Sequence, residues 1–143
     1  MFNLPLYQAM FKTFHGLRRV TRKDMQDFSL TQGTPKVLRS ISKHPNCKLK
    51  EVAEDVDIEP ATASRMINDL EKKGMIIRKT DDKSRRSIQL EATPLGKQII
   101  KQWDQHCAEV EKLAIEGIDE QELQQFMQTL NHIYFNLTGK QLK

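Results

Sequence analysis

Two groups of polar and basic side chains lie close together in the middle of the 143-residue chain. The first group consists of Thr62, Ser64, Arg65 and Asn68, and the second of Lys83, Ser84, Arg85 and Arg86. An arginine can pair bidentately with O6 and N7 of guanine, while hydroxyl, amide and ammonium groups bind phosphate oxygens. This chemistry suits double-stranded DNA, with a helix in the major groove and a cationic loop at the flanking backbone or minor groove.

Arg65 is the residue of the first group that we predict to read a base, and contact with phosphate alone is the alternative. A second set of polar residues lies nearer the N-terminus and is a candidate for contact with the DNA backbone. It consists of Thr34, Lys36 and Arg39. Lysines at such positions often face only solvent, so the prediction for this second set depends on where the fold places it.

The element that positions the first group is predicted to be a helix beginning at Pro60. Proline suits the first helical position because its φ is fixed and its missing N–H is not needed there. Gly74 can adopt the left-handed conformation that ends a helix. The inward face is predicted to consist of Ala63, Met66, Ile67 and Leu70. Residues 75–79 and 87–90 alternate apolar and polar side chains as half-buried strands do, with a polar loop over 80–86 between them.

Three helices are predicted before Pro60. The first 28 residues form a helix with one apolar stripe, residues 33–43 form a second helix capped by Ser29 or Thr31, and residues 51–56 form a third. The stripe of the first helix consists of Leu6, Met10, Phe11, Phe14 and Leu17. Two short helices joined by a tight turn at 57–59, the second with a polar outer face, are typical of a helix-turn-helix.

After the hairpin, Thr93 and Pro94 predict the start of a helix of about 20 residues, or about 30 Å. Gly117 interrupts it, and Asp119 with Glu122 forms a capping box for the last helix. The fold class is therefore mainly α with a small β-hairpin. We expect an N-terminal dimerisation helix over 1–30, a winged helix-turn-helix over 31–92 and C-terminal dimerisation helices over 93–143, within a single structural domain.

Apolar stripes on the terminal helices need a surface to cover them. A two-fold homodimer is the expected solution, and an intramolecular helical cap is the alternative. The net charge is +4, with +7 over residues 1–90 and −3 over 91–143, which places the positive charge beside the predicted DNA-contacting surface. The apolar fraction is 38%, and no apolar run approaches the roughly 20 residues that span a bilayer. Without a signal peptide or a disulfide framework, a cytoplasmic protein is expected.

An ordered set of motifs resembles the MarR-type transcriptional regulators. It comprises Thr62-Ala-Ser-Arg65, Leu70-Glu-Lys-Lys-Gly74-Met-Ile, a loop that starts with aspartates and ends in Arg85-Arg86, and Leu90-Glu-Ala-Thr93-Pro-Leu-Gly96. The resemblance implies a homodimeric repressor of a pseudo-palindromic operator, released by a small molecule or by cysteine oxidation. It also implies that one of Arg85 and Arg86 enters the minor groove. We favour Arg86 for that role, with Arg85 and Lys83 contacting phosphate, and a solvated run of charges is the alternative. The chain departs from the family pattern at Lys50, Glu59 and Ser84, and Glu59 is a poor helix cap.

Other residues suggest functions of different classes. Phe11, Phe14, His15 and Trp103 are candidates to line a cavity for a small aromatic or lipophilic effector, although such residues are more often core. Cys47 beside Lys48 is the candidate for a redox-responsive regulator, whereas Cys107 reads as a core residue. The four histidines lack metal-ligand spacing, and no nucleophile elbow or phosphate loop occurs, so we predict no metal, no cofactor and no enzyme. A winged-helix protein-interaction module without DNA binding remains an alternative.

Overall fold

The computed structural model describes residues 2–23, 28–81 and 84–143, with the side chains of 81 and 84–86 left outside the description. The helices are α1 (Leu6–Arg22), α2 (Thr34–Lys43), α3 (Leu49–Asp55), α4 (Pro60–Lys72), α5 (Pro94–Ala114) and α6 (Glu120–Thr138). The strands are β1 (Ile76–Asp81) and β2 (Ser84–Ala92). The predicted fold class, mainly α with one β-hairpin, is confirmed.

The chain divides into two compact units, Met1–Ala108 and Glu109–Lys143. The boundary falls inside α5. The predicted division into a winged helix-turn-helix over 31–92 and dimerisation helices on either side of it stays a prediction. The hydrophobic core belongs to the first unit, where α2, α3 and α4 pack on one another and against the hairpin. Fully buried members of this core include Val37, Leu38, Ile41, Val52, Ala63, Ile67, Leu70, Met75 and Ile76.

The start of α2 differs from the prediction. Its N-cap is Gly33, with a φ of 84°, rather than Ser29 or Thr31. A Cβ on Gly33 would lie 2.5 Å from the terminal methyl carbon of Met66 on α4. The left-handed backbone therefore favours glycine here, and a larger residue would also require the Met66 methyl group to move. The Thr31 hydroxyl instead donates to Asp69 Oδ2 at 3.0 Å, which joins the loop before α2 to α4.

The hairpin is longer than its apolar pattern predicted. The strands pair antiparallel from Ile76 with Ala92 to Thr80 with Ile88, and an irregularity follows before Asp81 pairs with Ser84. The polar residues predicted as a loop thus continue the backbone ladder, because strand pairing near a hairpin tip does not require burial of side chains. On the other edge of β2, Leu90 N donates to Cys47 O at 2.7 Å, which forms an isolated bridge.

The terminal helices leave large apolar side chains exposed. Within the first unit, α1 has no buried residue, and its exposed apolar residues are Leu6, Tyr7, Phe11, Phe14, Leu17 and Val20. Within the second unit, α6 also has no buried residue, and Phe126, Met127, Phe135 and Leu137 are exposed. Asp119 caps α6 as predicted, accepting a hydrogen bond from Glu122 N at 2.9 Å. In the described part of the chain, no helix has the length and apolarity needed to cross a membrane.

Candidate nucleic-acid interface

The helix α4 has one buried and one exposed face, as its sequence spacing predicted. Ala63, Ile67 and Leu70 are fully buried against the core. Arg65 and Asn68 are exposed on the opposite face. A helix anchored in this way on a rigid core can hold its outer side chains at fixed positions, which is a condition for reading base edges.

The remaining predicted residues of α4 lie at the margin of the exposed face. Thr62 and Ser64 are half-buried, one on each side of Ala63. At the N-terminus, Pro60 occupies the first turn and Glu59 is the N-cap residue, without a side-chain cap hydrogen bond. This agrees with the expectation that Glu59 caps poorly. The turn from α3 to α4 is closed by Ile58 N, which donates to Ala53 O at 3.0 Å.

Asp69 ties α4 to the segment that precedes α2. Its carboxylate accepts hydrogen bonds from Thr31 and lies 3.1 Å from Lys73 Nζ. Desolvation acts to raise the pKa of Asp69, but the hydrogen bonds from Lys73 and Thr31 outweigh it and hold that pKa below its usual value. Asp69 is therefore ionised at neutral pH and bonded within the protein, so it does not present an unpaired negative charge to a phosphate.

The hairpin places its arginines on β2, at 85 and 86, where only the backbone is described. Lys83 lies outside the described residues, as does the side chain of Ser84. The roles of these four residues in groove or phosphate contact therefore stay predictions. On β1, Lys79 pairs with Glu91 of β2, and this hydrogen bond and charge lower the pKa of the Glu91 carboxyl.

Arg78 makes a contact between β1 and α4 that the sequence did not reveal. Its Nη2 donates to Asn68 Oδ1, and its Nε lies 3.3 Å from Glu71 Oε2. Both acceptors belong to α4, so one guanidinium joins the hairpin to the face of the helix that carries Arg65. The end of α4 and a turn separate Arg78 from Asn68 and Glu71 along the chain. No periodic pattern in the sequence predicts a contact between them.

The second predicted set does not form one surface. Thr34 is buried, and its hydroxyl donates to Thr31 O at 2.6 Å, so the structure leaves it unavailable for a DNA phosphate. Arg39 Nε donates to Asp104 Oδ1 of α5 at 2.9 Å, so this guanidinium already has an anionic partner. Lys36 is exposed on α2. Burial of Thr34 follows from its position in the first turn of α2, directly against the core.

The junction between the hairpin and α5 is fixed by Thr93. Its hydroxyl donates to Gly74 O at 2.6 Å and accepts from Gly96 N at 3.1 Å, while its backbone N–H donates to Met75 O at 3.0 Å. A Cβ added at Gly96 would lie 2.0 Å from Met75 O, so only glycine fits this close approach. One residue thus joins the end of α4, the start of β1 and the start of α5.

Comparison with known protein families gives a match over the segment that contains α4 and most of the hairpin. A model of the MarR family matches residues 30–88, which contain α2, α3, α4, β1 and part of β2. Residues 30–88 belong to the MarR family. The resemblance noted in the sequence is thereby confirmed, and this segment is hereafter the MarR domain.

Relatives of the MarR domain include a named repressor. The HTH-type transcriptional repressor MdtR of Bacillus subtilis (strain 168) is 34% identical over 74 residues, which are 52% of this chain and 48% of MdtR. The chain therefore spans about half the length of that relative. The solved transcriptional regulator SlyA has a TM-score of 0.87 at 22% identity, covering 94% of each chain. The Staphylococcus aureus MepR–DNA complex has a TM-score of 0.86 at 17% identity, covering 94% of this chain and 99% of MepR. These two structures establish the fold.

The residues predicted to line an effector cavity are not brought together. Trp103 is buried beside the MarR domain, 4% exposed, with its ring centroid 5.4 Å from those of Phe28 and His106. Phe11 and Phe14 are 63% and 55% exposed on α1, and His15 is exposed as well. Trp103 is thus a core residue, which was the alternative interpretation.

A different cavity lies between α2 of the MarR domain and α5. Its volume is about 460 Å³, and its lining includes four basic and two apolar side chains. The lining residues are Arg39, Ser42, Lys43, Lys97, Ile100, Lys101, Asp104, Gln105 and Ala108. Arg39 and Asp104 form an ion pair across it, whereas none of the three lysines lies within 4.0 Å of a carboxylate among the described residues, although the charge of Lys97 acts on Glu91. An unbalanced positive charge therefore remains at this cavity.

Cys47 does not have the environment that the sequence suggested. The residue is buried, and its Sγ lies 3.9 Å from Leu90 O. Burial raises the pKa of the Cys47 thiol to about 11, and the nearby charges of Glu51 and Asp55 act in the same direction. The expectation that Lys48 favours a thiolate is therefore wrong, because Cys47 is protonated at neutral pH and closed to oxidants. Among the described residues, no group of three histidines, cysteines or acidic residues is arranged to hold a metal ion.

Proposed function

We propose that this chain is a DNA-binding transcriptional regulator in which α4 enters the major groove and the hairpin contacts the flanking backbone or minor groove. The observation that carries the proposal is the exposed pair Arg65 and Asn68 on a helix whose other face is fixed in the core. The MarR family assignment of residues 30–88 supports it, as does the positive charge of this part of the chain.

Each basic residue has a distinct part in this proposal. Arg65 pairs with guanine, and Arg86 enters the minor groove, where narrow A·T-rich segments attract cations. Arg85 and Lys83 bind phosphates and contribute affinity without sequence preference. Ser84 lies between these cations in the hairpin and is proposed to contribute a further hydroxyl contact.

The test is fluorescence anisotropy with the DNA upstream of the chain's own gene and a scrambled duplex of equal length, at several salt concentrations. Affinity is expected to fall with salt, with a slope of about −0.9 per neutralised phosphate. Arg65→Ala is expected to reduce the preference for the specific duplex by about 5- to 150-fold, which corresponds to the roughly 1–3 kcal/mol of one bidentate pair. The matched control is Lys112→Ala, which removes an exposed cation from the other unit and is expected to leave the preference unchanged.

Two results would contradict this proposal. Equal weakening of both duplexes by Arg65→Ala would assign Arg65 to phosphate contact instead of base reading. If the wild-type protein bound no duplex at low salt, the protein-interaction module would replace the DNA-binding regulator as the interpretation.

A homodimer is part of the same proposal. The exposed apolar side chains of α1 form a surface of a kind that soluble monomers rarely leave uncovered. Two copies would present two α4 helices to half-sites about 34–36 Å apart, one turn of DNA, which suits a pseudo-palindromic operator. Light scattering is expected to give twice the chain mass of 16.6 kDa, and Phe14→Asp to shift the protein toward the monomer. A wild-type monomer at micromolar concentration would remove the dimer.

Repression released by a small molecule completes the proposal, with an anionic effector instead of the aromatic or lipophilic one expected from the sequence. The support is the cavity between α2 and α5, where Lys43, Lys97 and Lys101 lack ion-pair partners among the described residues. A carboxylate or phosphate would be attracted by these cations and would join α2 to α5. Titration with benzoate and with inorganic phosphate is expected to weaken DNA binding, and Lys101→Gln to reduce that response. An equal response in Lys101→Gln would exclude this cavity.

A further inference from the structure

The contact of Arg78 with α4 has chemical consequences for the helix face that the proposed function assigns to DNA. Arg78 lies on β1, and its guanidinium reaches Asn68 Oδ1 and Glu71 Oε2. Asn68 lies three residues after Arg65, so the two side chains emerge from the same side of α4. Arg78 is therefore the described hairpin residue that bonds directly to a predicted DNA-contacting residue.

The contact fixes the orientation of the Asn68 amide. A guanidinium carries only hydrogen-bond donors, so the amide group that faces Arg78 must be the oxygen Oδ1. The NH₂ group of Asn68 then points away from Arg78 and offers its donors to the exterior. Free asparagine has no such preference, because its amide can rotate to place either the oxygen or the nitrogen outward.

Glu71 neutralises the guanidinium of Arg78. Its carboxylate lies 3.3 Å from Arg78 Nε and balances the charge of Arg78. An exposed ion pair of this kind contributes only about 0.2–1 kcal/mol to stability, so stability alone is a weak reason for the arrangement. A cation already neutralised by Glu71 is also a poor ligand for DNA phosphate, which leaves the orientation of Asn68 as its main effect.

We propose that Arg78 is a positioning residue for sequence recognition, which makes Asn68 a hydrogen-bond donor toward the major groove. This inference rests on the proposed DNA-binding function. In the major groove, guanine offers two acceptors, O6 and N7, whereas thymine offers one at O4 and adenine offers one at N7 beside its N6–H donor. The two-bond pairing of asparagine with adenine needs the amide oxygen to face N6–H, and the contact with Arg78 turns that oxygen toward the hairpin instead. Asn68 therefore favours guanine over adenine at its position.

The experiment measures base preference at every position of the operator, using competition binding of duplexes that carry each of the four bases in turn. The proteins are wild type, Arg78→Gln, Asn68→Ala and the double variant. Arg78→Gln is expected to reduce the preference for guanine over adenine at one position of each half-site by about fivefold or more. The same substitution in the Asn68→Ala background is expected to change nothing further, because Arg78 acts through Asn68.

Two additional variants separate positioning from a merely structural role. Lys79→Gln removes the neighbouring cation of β1, which pairs with Glu91 and not with α4, and it is expected to leave base preference unchanged. Asn68→Asp keeps an acceptor for Arg78 but replaces the outward donors with an oxygen. It is expected to move the preference at that position toward cytosine, whose N4 amino group is a donor. Because Asn68 is exposed, this variant tests the inference even if Arg78→Gln does not fold.

Three results would overturn the inference while leaving the DNA-binding function intact. The first is uniform weakening of all duplexes by Arg78→Gln with a salt slope reduced by about one, which would make Arg78 a phosphate ligand. The second is additive losses in the double variant. The third is an unchanged base profile in both Arg78→Gln and Asn68→Asp. Failure of the wild-type protein to bind any duplex would instead refute the proposed function, and this inference with it.

Discussion

Thr93 lies where the hairpin ends and α5 begins, and its hydroxyl can be removed with little change of shape. Thr93→Val eliminates the hydrogen bond to Gly74 O and the one from Gly96 N, at 2.6 and 3.1 Å. Gly74 O is accessible to water, which can replace the lost donor. Gly96 N–H lies in the tightly packed start of α5, where a missing partner costs more. Loss of the cap and of the second bond together is expected to destabilise the protein by about 1–2 kcal/mol.

This free energy corresponds to a decrease in melting temperature of about 3–7 °C for a chain of 143 residues. Thermal unfolding followed by circular dichroism measures it, with Thr93→Ser as the control because serine keeps the hydroxyl and loses only a methyl group. Amide hydrogen exchange at Gly96 is expected to accelerate in the valine variant and not in the serine variant. Equal melting temperatures for the two variants would show that the hydroxyl does not hold this junction.

Other predictions concern the backbone and the core. Gly96→Ala is expected to destabilise the protein by more than about 2 kcal/mol, because the added Cβ would overlap Met75 O. Gly74→Ala has open space around the added Cβ and is expected to cost only about 1 kcal/mol of backbone strain. Urea unfolding measures both losses of stability. The pKa of the Cys47 thiol is raised from 9.0 to about 11, so above pH 9.0 the thiol ionises in the unfolded chain before it ionises in the folded protein. The free energy of unfolding of wild type relative to Cys47→Ala is therefore expected to be constant below pH 9.0 and to fall by up to about 3 kcal/mol as the pH rises to 11. Thiol alkylation at neutral pH should therefore be slow until the protein unfolds. Leu38→Ala is expected to cost about 2–5 kcal/mol in the same urea assay, and a loss below 1 kcal/mol would contradict full burial.

The helices and their buried faces could be predicted because local signals determine them. Pro60 and Gly74 delimit α4 through backbone preferences, and spacings of three and four residues assign Ala63 and Ile67 to its buried side. Asp119 caps α6 through a contact within a single turn of the chain. In these cases the physical cause lies within a few residues of the effect, so one sequence contains the necessary information.

Features that depend on tertiary contact could not be predicted in this way. Gly33 caps α2 in a left-handed backbone conformation packed beside Met66 of α4, and the backbone of Cys47 is bonded by β2 in the buried interior. The bond from Arg78 to Asn68 depends on the angle between β1 and α4, which no sequence period encodes. Whether Phe11, Phe14 and Trp103 lie together could not be predicted for a related reason, since an aromatic stripe has the same sequence pattern whether it lines a cavity or packs in a core.

The bridge between Cys47 and Leu90 bears on aggregation, because it occupies part of the exposed edge of β2. A two-stranded ribbon leaves unpaired amide and carbonyl groups along both sides, and such borders can recruit foreign strands into aggregates. Here the outer border of β2 is already occupied at Leu90 by the Cys47 backbone. Toward the hairpin tip, the same strand carries Arg85 and Arg86, whose like charges repel an identical strand. We therefore expect the cations proposed to hold DNA also to oppose pairing of this edge with an identical strand.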